Sequence, residues 1–404
     1  MRRQKTITRR SCNPELIQAA EDAAIKIIKL NVILLAAFFI FAGCSKKKTV
    51  TDNPPVNGPV TFLTTGNLNG DDDDPAVAVD AQGNIHVVWF SDRDGTKDLY
   101  TVHSTGFDLT TGIIAWSAPI QITDNDETAP PPLLQDNFPS LLIDETGTFH
   151  LTWHRINQVS ASHILYMKSD GSAGGWASAT LDSITSGLNY DRFSKIVKFA
   201  SNDLRIYFNS STRTVPGKND IYVCKSTDNG DTWSAPAEVA SLNTASEQST
   251  FPTVVQLSAN SYIAALVRWK LEPSSDFLDK TSDIFYASSS DGDNWTVEQV
   301  TSEPGDTLND LTPTFFFDHS GTAHLAWATI AFGDPAADIV QMKVADRAFY
   351  PDSVHTLSSL VGTPDHSPEV IPLTVNGRQI YVMIWVRIAT PPHNQVVYRV
   401  FSNL

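Results

Sequence analysis

Residues 219–239 read NDIYVCKSTDNGDTWSAPAEV, and this stretch decides the fold. Asp220-Ile221-Tyr222-Val223-Cys224-Lys225 has the pattern of a strand. Ser226-Thr227-Asp228-Asn229-Gly230-Asp231-Thr232-Trp233 follows as a tight polar turn, and a second strand runs through Pro236-Ala237-Glu238-Val239. The unit is a hairpin. Its Ser and Asp side chains bond to backbone N–H groups of the turn, Gly230 takes the relaxed φ, and Trp233 tucks into apolar space beside the sheet.

Outward from this hairpin the same unit recurs six times. First strands open at Asp74-Pro75, Phe138-Pro139, Phe193-Ser194, Phe251-Pro252, Thr312-Pro313 and Ser367-Pro368. A proline at the opening residue of a strand needs no ladder donor. Second strands carry an aromatic at Trp89, Trp153, Phe208, Trp269, Trp327 and Trp385, spaced 64, 55, 61, 58 and 58 residues apart. Three copies keep D-x-x-G-x-x-H-x-x-W, at Asp80/Gly83/His86/Trp89, Asp144/Gly147/His150/Trp153 and Asp318/Gly321/His324/Trp327. Asp and Gly there fit a hairpin turn. Third strands follow at Asp220-Ile221-Tyr222 and its counterparts. A relaxed copy of the tight turn ends at Trp295, with Ser290 in the place of Asp228. The sixth unit has only three strands before Leu404, and residues 59–65, PVTFLTT, stand ready to supply its fourth. The expectation is an all-β, six-bladed β-propeller of four-stranded antiparallel blades, the last closed by the N-terminal strand. Such closure removes two open sheet edges at once.

The turn S-x-D-x-G-x-T-W, formed by Ser226, Asp228, Gly230 and Trp233, resembles the Asp-box of the sialidase-like superfamily, and the blade register extends the resemblance over residues 59–404. That resemblance implies a six-bladed ring with Asp-boxes on the face away from the ligand site. Their carboxylates are then structural, as are His86, His150 and His324, which share one strand position. Catalytic sialidases use an arginine triad on the substrate carboxylate, a tyrosine nucleophile assisted by a glutamate, and an acid/base aspartate. The segment that supplies the first of those arginines has no counterpart here, because the first blade reads Asp74-Pro75-Ala76-Val77.

The first 43 residues carry seven basic residues and an apolar run, LNVILLAAFFIFAG, ending at Cys44. Such a run suits a signal-peptide core better than a permanent span of about 20 residues. Ala42-Gly43-Cys44 resembles the lipobox of a bacterial lipoprotein, which implies a signal peptide over 1–43, acylation of Cys44 and a flexible tether over 44–58. The expected location is the bacterial cell envelope, with membrane attachment through the lipid alone. The remaining chain holds 22 basic against 42 acidic residues, a formal charge of −20. That excludes nucleic-acid binding and flat adsorption to anionic lipid. Only Cys44 and Cys224 then remain, so no intramolecular disulfide is expected.

The cup face receives the long loops. Arg155 and Arg387 each stand two residues after a blade tryptophan, and Tyr190, Asp191 and Arg192 cluster at a crossover. Arg268, one residue before Trp269, is expected to point the other way. Arg155, Arg192 and Arg387 are candidate ligand-binding residues, because guanidinium groups match carboxylated or sulfated glycans. Tyr190 and Asp191 are the candidates for catalysis. Asn67, Asn69, Asp71 and Asp73 place oxygens two residues apart around Gly70, the pattern of a calcium loop lacking its closing glutamate. No other cofactor is expected. The departure from the catalytic pattern favours a surface-anchored, non-catalytic propeller that binds a glycan or a protein partner at its cup. The alternative is a glycoside hydrolase of sialidase-like type, acting on anionic glycans through a rearranged site.

Overall fold

The computed structural model describes residues 56–64, 70–125, 134–157, 161–200, 202–211, 213, 216–270, 282–302, 308–331, 337–345, 355–358, 365–389 and 393–402. Cys44, the apolar run before it, Asn67 and Asn69 lie outside them.

Six antiparallel sheets form the ring. From the axis outward, blade 1 is Asp72–Val79, Ile85–Ser91 and Asp98–Asp108; blade 2 is Gln135–Ile143, Phe149–Ile156, Ser162–Ser169 and Leu181–Ser183; blade 3 is Asp191–Ala200, Asp203–Ser210, Asp220–Ser226 and Ala237–Glu238. Blade 4 is Glu247–Ser258, Ser261–Lys270, Asp283–Ser289 and Thr296–Gln299; blade 5 is Leu308–Phe317, Ala323–Ala331, Ala337–Lys343 and His355–Thr356. Blade 6 is Asp365–Val375, Arg378–Ala389 and His393–Phe401, and its outer strand is Thr61–Phe62. The expected closure is therefore observed, with Thr61 opposite Tyr398 and Phe62 opposite Val397. Packing reaches back into the expected tether: Val56 is buried and its N–H donates to Ser402 Oγ at 2.7 Å. Blade 1 keeps the four-strand plan and adds one short strand to it. Its third strand is long enough to pair both Ile113–Trp116 and Ile120–Gln121, giving five strands.

No blade has a core of its own. Because successive side chains point to opposite faces, Val87 and Trp89 pack toward blade 6 while Val88 and Phe90 pack toward blade 2. Six such clusters fill the six interfaces, so each blade is stable only between two neighbours.

The turn after Asp220–Ser226 forms as its sequence requires. Ser226 Oγ donates to Asp228 Oδ1 at 2.7 Å and accepts from Gly230 N at 2.8 Å, and Asp228 accepts from Thr232 N at 2.9 Å. Gly230 has φ 85°, and its Cα presses on the Tyr166 hydroxyl of blade 2, where a Cβ would collide. Trp233 packs edge-on to Tyr166 at 5.0 Å. In blade 4 the register differs from expectation. Asp291, not Ser290, takes the role of Asp228, accepting from Ser289 Oγ at 3.0 Å and from Asn294 N at 2.8 Å. The turn is one residue shorter, which is why counting back from Trp295 misplaces it.

Pairing also corrects the aromatic series. Ser249 faces Arg268 as Asp136 faces Arg155 and Asp365 faces Arg387. Leu266 is therefore the counterpart of Trp153 and Trp385, and it faces blade 3 as they face their preceding blades. Trp269, an odd number of residues on, faces blade 5. Arg268 shares its strand position with Arg155 and Arg387 rather than opposing them.

Every inner strand breaks at one place. Asp74, Phe138, Phe193, Phe251, Thr312 and Ser367 all have φ between 49° and 54°, each within a register shift. These bulges, not strand starts, precede the prolines, since each strand begins two or more residues earlier. A bulge re-aims its side chain, and here six of them turn toward the axis.

Candidate functional site

Two residues before the bulge, a carboxylate anchors the cup end of every blade but the fourth, which has Ser249 there. Asp136 accepts from Trp153 Nε1 at 2.8 Å and takes Arg155 in a bidentate pair at 2.6 and 2.7 Å. Asp365 takes Arg387 at 2.8 and 2.8 Å. Asp191 takes Arg213 at 3.0 and 2.6 Å, and Asp72 takes Trp89 Nε1 at 3.1 Å and Arg93 at 3.0 Å. All four carboxylates are fully buried. Forked guanidinium pairs of this kind are strong and orient both partners. Of the candidate residues, Arg155 and Arg387 are thus engaged within their own blades, and Asp191 is clamped by Arg213 beneath the surface. Both of its oxygens accept from that guanidinium.

Blade 5 keeps the carboxylate without the arginine. Asp310 accepts from Trp327 Nε1 at 3.1 Å and faces Thr329 where blades 2 and 6 place a guanidinium. Burial is the main cause that pushes its carboxyl up to about 6. A carboxyl raised on folding contributes stability below its unfolded value of about 3.9, and this is lost as pH rises through about 6. Asp310→Asn should therefore gain stability relative to the parent between pH 4 and 7, by about 2–3 kcal/mol at neutral pH. Urea melts at stepped pH read this; a constant difference across that range would contradict it.

The three repeated histidines are accounted for locally. His86, His150 and His324 each contact the turn aspartate of their own blade through Nε2, at 3.0, 3.3 and 3.3 Å. They do not converge.

At the cup the bulge residues enclose an axial pit of about 100 Å³. Half its rim is aromatic: Phe138 meets Phe193 edge-on at 4.4 Å, and Phe193 lies against Phe251 at 4.0 Å. The other half is polar, formed by Thr312, Ser367 and Asp74. Lys195 of blade 3 reaches across the axis to Glu369 of blade 6 at 3.4 Å, and Thr314 donates to the same carboxylate at 3.2 Å. This pair also lines the pit.

Beside the pit, between blades 3 and 4, opens a cleft of about 450 Å³ lined by Tyr190, Arg192, Phe193, Asn209, Ser211, Asn219, Thr250, Phe251 and Trp269. Its polar wall is pre-set. Thr250 Oγ1 donates to Asn209 Oδ1 at 2.8 Å, Asn209 Nδ2 to Asn219 Oδ1 at 2.9 Å, and Asn219 Nδ2 to Gln248 Oε1 at 2.6 Å. Arg192 is the candidate arginine that enters this cleft. Its guanidinium lies 5.5 Å from the Tyr190 ring centre and touches Ser162 Oγ at 3.4 Å, with no carboxylate paired to it among the described residues. Burial draws its basicity below the ordinary value, with Tyr190 opposing. Tyr190 also lines the cleft, while Asp191, next in sequence, points into the blade. Sequence reading missed Phe193, Asn209, Asn219, Thr250 and Phe251, and it assigned Trp269 to the blade series. Spacing gave no signal, since Trp269 stands 61 and 58 residues from Phe208 and Trp327, and Leu266 stands 58 and 61 from them.

No protein-family model and no curated protein matches the sequence. Solved structures do share its architecture. A Dyadobacter fermentans protein of unknown function superposes with TM-score 0.61 at 12% identity, covering 85% of this chain and 98% of the other. A Penicillium chrysogenum α-L-arabinanase solved with arabinobiose gives 0.58 at 13%, covering 86% and 98%. The Streptococcus pneumoniae sialidase NanB gives 0.54 at 10%, covering 86% and 70%. At these identities the likeness is one of fold. The chain is a six-bladed β-propeller with sialidase-like architecture.

Proposed function

We propose that the propeller binds an acidic glycan in the cleft between blades 3 and 4. The observation that carries this reading is the combination of Trp269, Tyr190 and Phe251 with Arg192, which pairs with no carboxylate among the described residues, and the fixed Thr250–Asn209–Asn219–Gln248 chain. Aromatic faces cover the C–H surface of a sugar, pre-oriented amides read its hydroxyls, and a guanidinium pairs with a carboxylate or sulfate. The expected result on an array of acidic and neutral oligosaccharides is selective binding of acidic ones. Trp269→Ala and Arg192→Ala should each weaken that binding by about tenfold or more, equivalent to about 1.4 kcal/mol. Asp231→Ala, on the opposite face, should leave it unchanged. Absence of binding to every acidic oligosaccharide would sink the proposal.

A second reading, glycoside hydrolysis, is favoured by the pit. Asp74 and Glu369 both line it, in different surroundings. Burial and then Asp73 hold the Asp74 carboxyl well above the usual range, while Lys195 pairs Glu369. A buried carboxyl beside a second, lysine-paired carboxylate supplies the two groups that acid and base roles require. The fold neighbours include an arabinanase and a sialidase. Glycoside turnover by the parent, abolished in Asp74→Asn, would establish this reading over the first.

A further inference from the structure

We propose that Asp73, Asp74 and His366 form a binding site for a divalent transition cation, zinc or manganese, beside the axial pit. One oxygen from each carboxylate and one imidazole nitrogen all lie within 4.8 Å of one another. Donors held about 2.0–2.2 Å from a common ion are at most about 4.4 Å apart, so small side-chain rotations close the set. The residues come from two blades: Asp73 and Asp74 from the inner strand of blade 1, and His366 from that of blade 6.

The second observation is the state of Asp74. It is only 6% exposed, yet among the described residues its side chain meets, apart from the Asp73 carboxyl, only the Ser367 hydroxyl as a hydrogen-bond partner, at 3.1 Å. Its carboxylate faces the pit. Asp73 stands 8% exposed beside it, oriented by the Asp74 N–H at 2.7 Å and by the Asn394 side-chain amide. His366 places Nδ1 3.8 Å from Asp73 Oδ1 and 3.1 Å from Ser367 Oγ. Two adjacent carboxylates buried this deeply are stabilised by a positive partner. Lys97 is the cation whose field reaches Asp74, but its ammonium lies over the Phe90 ring at 4.2 Å rather than on the pair.

The donor chemistry selects the ion. Two carboxylates and one imidazole suit zinc or manganese, whereas calcium takes six to eight oxygens. The site shares only Asp73 with the expected calcium loop. Asp71 accepts from Asn394 N at 2.8 Å and lies near His393 at 3.8 Å, while Asp73 belongs with Asp74 and His366. Three protein ligands leave coordination positions open toward the pit, so the bound ion presents a Lewis-acidic face to whatever the cup holds.

The test is isothermal titration of chelator-treated full-length protein with zinc chloride, manganese chloride and calcium chloride, with no glycan present. Its outcome is therefore independent of the glycan proposal. Zinc or manganese should bind at one ion per chain and release protons, with a heat that varies with the buffer's ionisation enthalpy. Calcium should bind at least about tenfold more weakly. Asp74→Asn and His366→Gln should each lower affinity by about tenfold or more, and an unchanged melting curve without metal separates that loss from misfolding. Absence of zinc and manganese binding overturns the proposal. So does binding that survives in Asp74→Asn/His366→Gln, which would place the ion elsewhere.

Discussion

A chain lacking residues 56–64 should lose cooperative unfolding and aggregate. This segment supplies the outer edge of blade 6 through Leu63 N to Val396 O at 2.9 Å, Gly58 N to Val400 O at 2.8 Å and Ser402 N to Val56 O at 2.9 Å. Val56 and Thr64 add side-chain-mediated bonds to Ser402 and Val396, at 2.7 and 3.2 Å. At about 1 kcal/mol net for each of five bonds, plus about 1.5–3 kcal/mol for burying Val56, the segment contributes roughly 7 kcal/mol. A whole domain has a margin of about 5–15 kcal/mol. The loss is also topological, because Val56 belongs to the cluster joining blades 1 and 6, the interface that closes the ring. Calorimetry of the truncated chain should give a broadened transition of reduced enthalpy, and a synthetic 56–64 peptide added in trans should sharpen it. An unaltered melt would mean that the ring closes without this strand.

That much of the architecture was readable because closure and repetition leave marks in one dimension. A strand's alternation fixes which neighbour each side chain faces, and six copies at near-constant spacing fix the number of blades. The turn at Ser226 was legible for the same reason, since its bonds run between residues two to four apart. Errors arose where a local count stood in for pairing. Trp269 is aromatic and nearly in step, yet pairing gives its place in the series to Leu266. Ser290 lost its assigned role because the second turn is one residue shorter. Six left-handed residues were invisible as such, because Phe and Thr carry no sequence mark for positive φ as glycine does. The cup was the least legible part. Its cleft combines Arg192, Asn209, Asn219, Thr250 and Trp269, which become neighbours only when blades 3 and 4 pack. Arg155 and Arg387 looked like ligand groups because a sequence does not reveal the buried carboxylate that each one meets. Yet a partial signal existed: aspartate stands 17 residues before the blade aromatic at Asp72, Asp136, Asp191 and Asp310.

Those carboxylates set the second large effect. Arg155→Ala should destabilise the protein by about 3–5 kcal/mol, the cost of leaving a buried charge without its partner. Asp136 is fully buried, and without Arg155 it retains Trp153 Nε1 at 2.8 Å and Asn125 Nδ2 at 3.0 Å. Two neutral donors do not replace a forked cation 2.6 and 2.7 Å away. If charge rather than volume is the cause, removing the charge should repair the damage. Asp136→Asn combined with Arg155→Met keeps the shape and the neutral donors while deleting both charges, and it should recover most of the loss. A double-mutant cycle read by urea midpoints separates the two terms. Recovery in the double variant assigns the effect to the ion pair. A double variant as unstable as Arg155→Ala alone would assign it to the packing of the arginine stem, and the buried aspartates would then be anchors for tryptophan rather than partners for arginine.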